Sequence, residues 1–126
     1  MALTLDAGAL IAIDRGDRHV HVLLAEAVHR RQVVTVPAPV IGQAWRDGAR
    51  QVRLARALAG CRTEPTHGDQ ARAAGELLAR TGQADVIDAL VVLSAAARGD
   101  EILTSDPGDL RLLAAVLPGR IVITAV

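Results

Sequence analysis

Aromatic side chains are almost missing from this chain: Trp45 stands alone, with no phenylalanine and no tyrosine among 126 residues. A platform that stacks unpaired bases on rings, as oligonucleotide-binding barrels do, is therefore excluded. Lysine is absent altogether, since all 14 basic residues are arginine. That closes any mechanism needing a catalytic or phosphate-pairing lysine. Cys61 is the single cysteine, so no internal disulfide is possible, and a reducing cytoplasm suits the chain. No uninterrupted apolar run reaches the roughly 18 residues of a membrane span. The apolar start, Met1–Ile13, has no basic leading segment and is broken by Asp6, unlike a signal peptide. Fourteen acidic residues balance the arginines, so no global field recommends a nucleic-acid partner.

What remains is aliphatic. Half of the chain is apolar, dominated by Ala, Val and Leu, and its length fits one domain over residues 1–126 with a substantial core. Short apolar runs alternate with helical patterns. Strands are expected over Ala2–Leu5, Val33–Val36, Cys61–Glu64, Glu101–Thr104 and Ile121–Val126. Helices are expected over Ala7–Asp14, Arg18–Arg31, from Pro37 to about Gly48, over Ala49–Leu58, up to Arg80, over Ala84–Arg98 and over Pro107–Val116. Gly60, Gly82 and Gly99 stand where helices should stop, and Thr66 with Asp69 has the pattern of an N-terminal cap. Strands alternating with helices imply an α/β fold with a mostly parallel sheet covered on both faces.

Four aspartates stand where these elements begin. Leu3-Thr4-Leu5 runs into Asp6, Ile102-Leu103-Thr104-Ser105 runs into Asp106, and Asp85 and Asp88 open a helix three residues apart. In an open α/β sheet, ligands bind beyond the carboxyl ends of the strands, which puts Asp6 and Asp106 on the rim of that crevice. Taken singly, each acid reads more simply as structural: Asp6 and Asp106 as N-caps, Asp106 being followed by Pro107, favoured at the first helical position, and Asp85 and Asp88 as complements of the positive end of a helix dipole. Capping does not explain why separate segments deliver acids to one edge. Carboxylates gathered there repel unless a cation joins them, and such hard oxygens suit Mg²⁺ or Mn²⁺.

These residues carry a resemblance. Leu-Asp-Ala-Gly-Ala-Leu at 5–10, Val-Ile-Asp-Ala-Leu at 86–90 and Thr-Ser-Asp-Pro-Gly-Asp-Leu at 104–110 resemble a PIN domain, nearest to the VapC-like toxins of bacterial toxin–antitoxin pairs. The likeness extends over nearly the whole chain, including Val36-Pro37-Ala38 and the arginine-rich helix that follows. It implies a single three-layer α/β/α domain with a sheet of four or five strands. It also implies a Mg²⁺- or Mn²⁺-dependent endoribonuclease that dimerises and is silenced by an acidic or amphipathic antitoxin segment. Asp6, Asp88 and Asp106 take the places of the metal-site acids, with Asp85 and Asp109 as auxiliaries. The family's second acid falls on Gln43, which offers a carbonyl oxygen without charge. A site one charge short binds a divalent ion more weakly, although Asp47, one turn further on, is placed to compensate.

Arg46, Arg50, Arg53 and Arg56 recur at helical intervals and are candidates to guide RNA phosphates or pair with an acidic partner; an ordinary solvated helix face is the plainer reading. Thr104 and Ser105 are placed to orient Asp106, touch phosphate or cap the strand end. Trp45 is expected in the core or a dimer interface. Cys61, His19, His21, His29 and His67 show no metal-ligand spacing and read as surface or packing residues. Two other aspartate-lined folds fail on single residues: a phosphoacceptor receiver needs a lysine, and a haloacid-dehalogenase-type phosphatase needs an aspartate where Gly8 stands. The alternative to an enzyme is a module that keeps the fold and its partners but cleaves poorly because of Gln43.

Overall fold

Residues 2–126 are described by a computed structural model. β1 (Leu3–Leu5) leads into α1 (Ala7–Asp14), and a turn at Gly16, whose φ of +76° suits glycine, opens into α2 (Arg18–His29). β2 (Val34–Pro37) is followed by α3 (Ala38–Ala44), a single 3₁₀ turn (Gly48–Arg50) and α4 (Val52–Ala59). β3 (Arg62–Glu64), α5 (Gly68–Thr81), α6 (Val86–Arg98), β4 (Glu101–Thr104), α7 (Pro107–Ala114) and β5 (Ile123–Ala125) complete the chain. Gly82 and Gly99 end α5 and α6 in the left-handed conformation, as their positions in the sequence imply.

The five strands are all parallel, in the order β3-β2-β1-β4-β5. From β1 the chain steps through β2 to β3 at one edge, whereas from β4 it steps to β5 at the other. Right-handed crossovers then put α1–α4 on one face and α5–α7 on the other. The packing agrees: α1 lies against α2, α3 and α4, while α6 lies against α5 and α7 and covers β1, β2 and β4. This is the three-layer α/β/α architecture expected from the alternation. The stepping direction reverses between β1 and β4, so the crevice at their carboxyl ends is the topological switch point.

The core is aliphatic throughout. Leu5, Leu10, Ile13, Val36, Leu54, Val91, Ile102, Leu103 and Leu113 are sealed from solvent between the layers. Among the described residues, no helix is long and apolar enough to cross a membrane.

Three expectations need correction. The helix after β2 does not run to Gly48; it stops at Ala44, and Trp45 is extended. Gln51, itself buried, holds the break open: its Oε1 accepts from the Arg46 and Asp47 N–H groups (2.8 and 3.0 Å), and its Nε2 donates to the Ala44 carbonyl (3.0 Å). Trp45 is not a core residue but lies over Gly48, where an added Cβ would come within 2.6 Å of the ring. The cap of α5 is also not Thr66 with Asp69. His67 occupies the N-cap, and its N–H donates to Gln70 Oε1 at 2.6 Å.

One charged cluster lies inside the fold. The Arg98 guanidinium, at the end of α6, donates to Glu64 on β3, to Asp100 Oδ2 (2.9 Å), to Thr4 Oγ1 (3.0 Å) and to Ser94 Oγ (2.7 Å). Ser94 donates in turn to Glu64 Oε1 (2.7 Å), and Thr4 to Asp100 Oδ2 (2.9 Å). Arg62 adds a second guanidinium 3.6 Å from Glu64. Two carboxylates thus face two guanidiniums, and every hydroxyl both donates and accepts. The network fastens the edge strand β3 and the central strand β1 to α6.

Candidate acidic site

Asp6 and Asp106 follow adjacent strands, as the apolar runs before them require. Each is the N-cap of the next helix, so the capping reading is correct for both. Asp6 Oδ1 accepts from the Ala9 N–H at 3.0 Å, while Oδ2 accepts from Thr104 Oγ1 at 2.5 Å. Thr104 Oγ1 accepts from the Asp106 N–H at 3.0 Å. One buried hydroxyl therefore links the two acids across the switch point. Sequence pattern offers Thr104 as an orienter of Asp106, a phosphate donor or a strand-end cap; its bond to Asp6 spans the pairing of β1 with β4.

α6 brings the other pair from the opposite face of the sheet. Asp85 is not on the body of the helix beside Asp88 but is its N-cap, with Oδ1 accepting from the Ile87 and Asp88 N–H groups at 2.9 and 3.0 Å. Asp88 lies within the first turn, half-buried, and its carboxylate accepts no hydrogen bond and forms no ion pair among the described residues. Burial and then the negative charges of Asp85, Asp6, Asp109 and Asp106 push its pKa from 3.8 up to about 6. All four acids therefore oppose its ionisation. Asp6 is also raised, chiefly by burial, which outweighs its bonds to Thr104, Ala9 and Gly8; Asp106 adds to the rise.

Gly8 makes the junction possible. An added Cβ there would fall 2.1 Å from Ser105 Oγ and 2.9 Å from the Ser105 backbone nitrogen, so only glycine lets the start of α1 touch the loop before Asp106. Spacing gave Gly8 no such role; a glycine two residues after a strand-end acid is the signal that was available.

The donor set is hard and anionic, and it is uncompensated at Asp88, which fits a divalent cation. As the side chains stand, however, no three Asp, Glu, His or Cys residues among those described are close enough to hold one ion. Both oxygens of Asp6 are engaged, as are Asp85 Oδ1 and Asp106 Oδ1, the latter with the Gly108 N–H at 3.4 Å. Gln43 lies half-buried in the last turn of α3, which starts from the carboxyl end of β2 beside β1. Asp47 does not compensate for it. Because α3 ends at Ala44, Asp47 turns away to cap the 3₁₀ turn (Ala49 N–H at 3.1 Å) and lies 3.7 Å from Arg50.

The arginines form no single stripe, because the same break separates them. Arg46 bonds the carbonyls of Gly42 and Trp45 at 2.9 and 2.7 Å, and Arg50 is tied to Asp47. Arg53 lies against Gly16, and both it and Arg56 border a groove between α2 and α4 that also contains Cys61 and His21.

No family model matches the chain, and no curated protein matches it in sequence. Solved structures do. The chain is similar to one from the VapBC2 complex of Rickettsia felis bound to a promoter DNA fragment, with a TM-score of 0.72, 14% identity, and 99% of this chain and 98% of that chain covered. A toxin–antitoxin complex from Klebsiella pneumoniae gives 0.70 at 18% identity, covering 99% and 97%. VapC20 of Mycobacterium tuberculosis, a toxin that cleaves the sarcin–ricin loop, gives 0.62 at 19% identity, covering 92% and 96%. The fold is that of the PIN-domain VapC toxins, over the full length of the chain. Identities this low carry the architecture, and the chemistry must be argued from the residues.

Proposed function

We propose that this chain is a cytoplasmic, divalent-metal-dependent endoribonuclease and the toxin member of a toxin–antitoxin pair. The observation that carries the reading is Asp88: a half-buried carboxylate with no hydrogen-bond or ion-pair partner among the described residues, whose ionisation is opposed by the charges of Asp85, Asp6, Asp109 and Asp106. A fold does not need such an arrangement, and a cation relieves it. Asp6, Asp88 and Asp106 would hold Mg²⁺ or Mn²⁺, with Asp85 and Asp109 at the margin. When bound, the ion would supply an acidified water and neutralise charge developing on the phosphodiester. The chain does the rest. Thr104 fixes the orientation of Asp6 and ties it to the backbone of Asp106, while Gln43 offers a neutral oxygen from α3.

The fold shared with toxins solved beside their antitoxins supports a protein antitoxin as partner. An apolar groove of about 440 Å³ between α2 and α4, lined by Leu24, Val28 and Ala57 with Arg56 beside them, suits an amphipathic acidic segment. A homodimer is proposed as the working unit.

Cleavage of RNA in Mn²⁺, abolished by chelator, is the expected result. Asp6→Asn and Asp88→Asn should each remove it while leaving the circular dichroism spectrum intact. Cleavage retained by both variants would sink the assignment. A second reading, a PIN-fold binding module with little activity, is favoured by Gln43 and by the wide spacing of the acids. Under that reading the wild type binds Mn²⁺ weakly and leaves RNA whole.

A further inference from the structure

An open trough of about 510 Å³ runs along the exposed flank of α1. Gly8, Ile11, Ala12 and Arg15 line it at intervals of three or four residues, so they share one helix face. Its near end is lined by Gly8, Ser105 and Val126; Gly8 and Ser105 touch each other and stand two residues after Asp6 and one residue before Asp106. Its far end is Arg15, about 14 Å from Asp6 at the helical rise of about 1.5 Å per residue. Arg15 is exposed and forms no ion pair among the described residues. The Arg53 guanidinium lies against Gly16 at the same end, with its Cζ 3.2 Å from where a Cβ on Gly16 would sit. Asp17 borders this end too, but its Oδ1 is committed to the Val20 N–H at 3.0 Å, capping α2. The trough thus runs from residues next to the acids, over a neutral and partly apolar floor, to an end where the Arg15 and Arg53 guanidiniums outnumber the single Asp17 carboxylate. Of the other arginines at helical intervals, Arg46 bonds nearby carbonyls, Arg50 lies beside Asp47, and Arg56 lines the separate groove between α2 and α4.

We infer that the α1 trough carries a single RNA strand away from the acid cluster, with the Arg15 guanidinium as its phosphate anchor and Arg53 reinforcing it. The inference rests on the nuclease reading. A polyanion held only at the acids meets like charge; a forked cation about 14 Å away offsets that repulsion and fixes the direction of the strand. Ile11, whose side chain is partly exposed on the floor, gives ribose and base faces an apolar surface.

The test uses binding, so it does not need catalysis. A labelled single-stranded oligoribonucleotide is titrated with the full chain in chelator at several salt concentrations, and fluorescence anisotropy gives the affinity. Arg15→Gln should weaken binding several-fold and make the slope of log K against log salt shallower by about 0.7, the loss of one phosphate contact on a single strand. Arg15→Lys should restore most of that slope. Arg72→Gln, which removes the same charge from α5 on the other face, should change neither. An unaltered slope in Arg15→Gln overturns the anchor, as does an equal loss in Arg72→Gln. A wild type that binds RNA with the Arg15-dependent slope yet never cleaves it in Mn²⁺ removes the nuclease reading and leaves the anchor standing. Normal cleavage with an unaltered slope does the reverse, and a wild type that binds no RNA overturns both.

Discussion

The two ends of α6 hold charge in opposite ways. At its last turn, Arg98 meets Glu64 and Asp100, Arg62 stands behind Glu64, and Ser94 and Thr4 fill the remaining hydrogen-bond positions. At its first turn, Asp88 feels the negative charge of four more carboxylates and has no cation paired with it among the described residues. Aspartate and threonine serve both regions, but only the closed one includes arginine. What separates them is balance. A closed network serves the fold, whereas an open excess of one sign has a structural cost that only a ligand offsets.

Breaking the closed end should have the largest effect. Arg98→Ala would leave Glu64 and Asp100 buried without their cation, and the expected loss is about 3–5 kcal/mol in denaturant unfolding. A loss under about 1 kcal/mol would mean the network is ornamental.

At the open end, Asp88→Asn should move stability and function in opposite directions. Ribonuclease activity in Mn²⁺ is expected to fall about a hundredfold or more, as for loss of one preorganised electrostatic group. The ion-free protein should instead melt at a higher temperature near neutral pH. The sign follows from linkage: the folded-state pKa of Asp88 is raised from 3.8 to about 6, so the folded protein binds the extra proton between those values. Stability from this group is full below the lower value, declines as pH rises through about 6, and stays reduced above it. The variant should lack that decline, and Mn²⁺ affinity of the wild type should climb over the same window. A melting temperature that Asp88→Asn lowers at pH 7 would contradict the comparison.

Gly8→Ala tests the junction where the open end meets the sheet. Its methyl would press on both the side chain and the backbone of Ser105, at an expected cost of about 1–3 kcal/mol, with activity falling alongside. Ser105→Ala should not rescue it, because the Ser105 Cβ and backbone nitrogen already lie 2.9 Å from the added atom. The smallest effect belongs to Gln43→Glu. Restoring one charge should tighten Mn²⁺ binding by about tenfold, roughly 1.4 kcal/mol, read by calorimetry. Unchanged affinity would place residue 43 outside the site.

The punctuation of the chain made most of the architecture legible. Gly82 and Gly99 stop α5 and α6, Pro107 starts α7, and short aliphatic runs become the strands. Asp6 and Asp106 were legible both as caps and as acids at one edge, because a helix that starts at a strand's end needs an acceptor there. What stayed hidden depends on where particular side chains reach, whether across a few residues or across the fold. The end of α3 is enforced by Gln51 reaching back to Ala44, Arg46 and Asp47, so helical spacing alone joined arginines that the structure separates. Glu64 pairs with Arg98 through the meeting of β3 and α6, and Thr104 reaches Asp6 only through the register of β1 with β4. Local pattern has no access to such partners.

The bond from Thr104 to Asp6 closes a span of 98 residues. A chain leaving the ribosome therefore displays its first carboxylate long before the hydroxyl that steadies it has been made, and β1 waits with one flank empty. Only when β4 docks there do the acids become neighbours. Synthesis and arming are thus separated in time by the order of the strands alone.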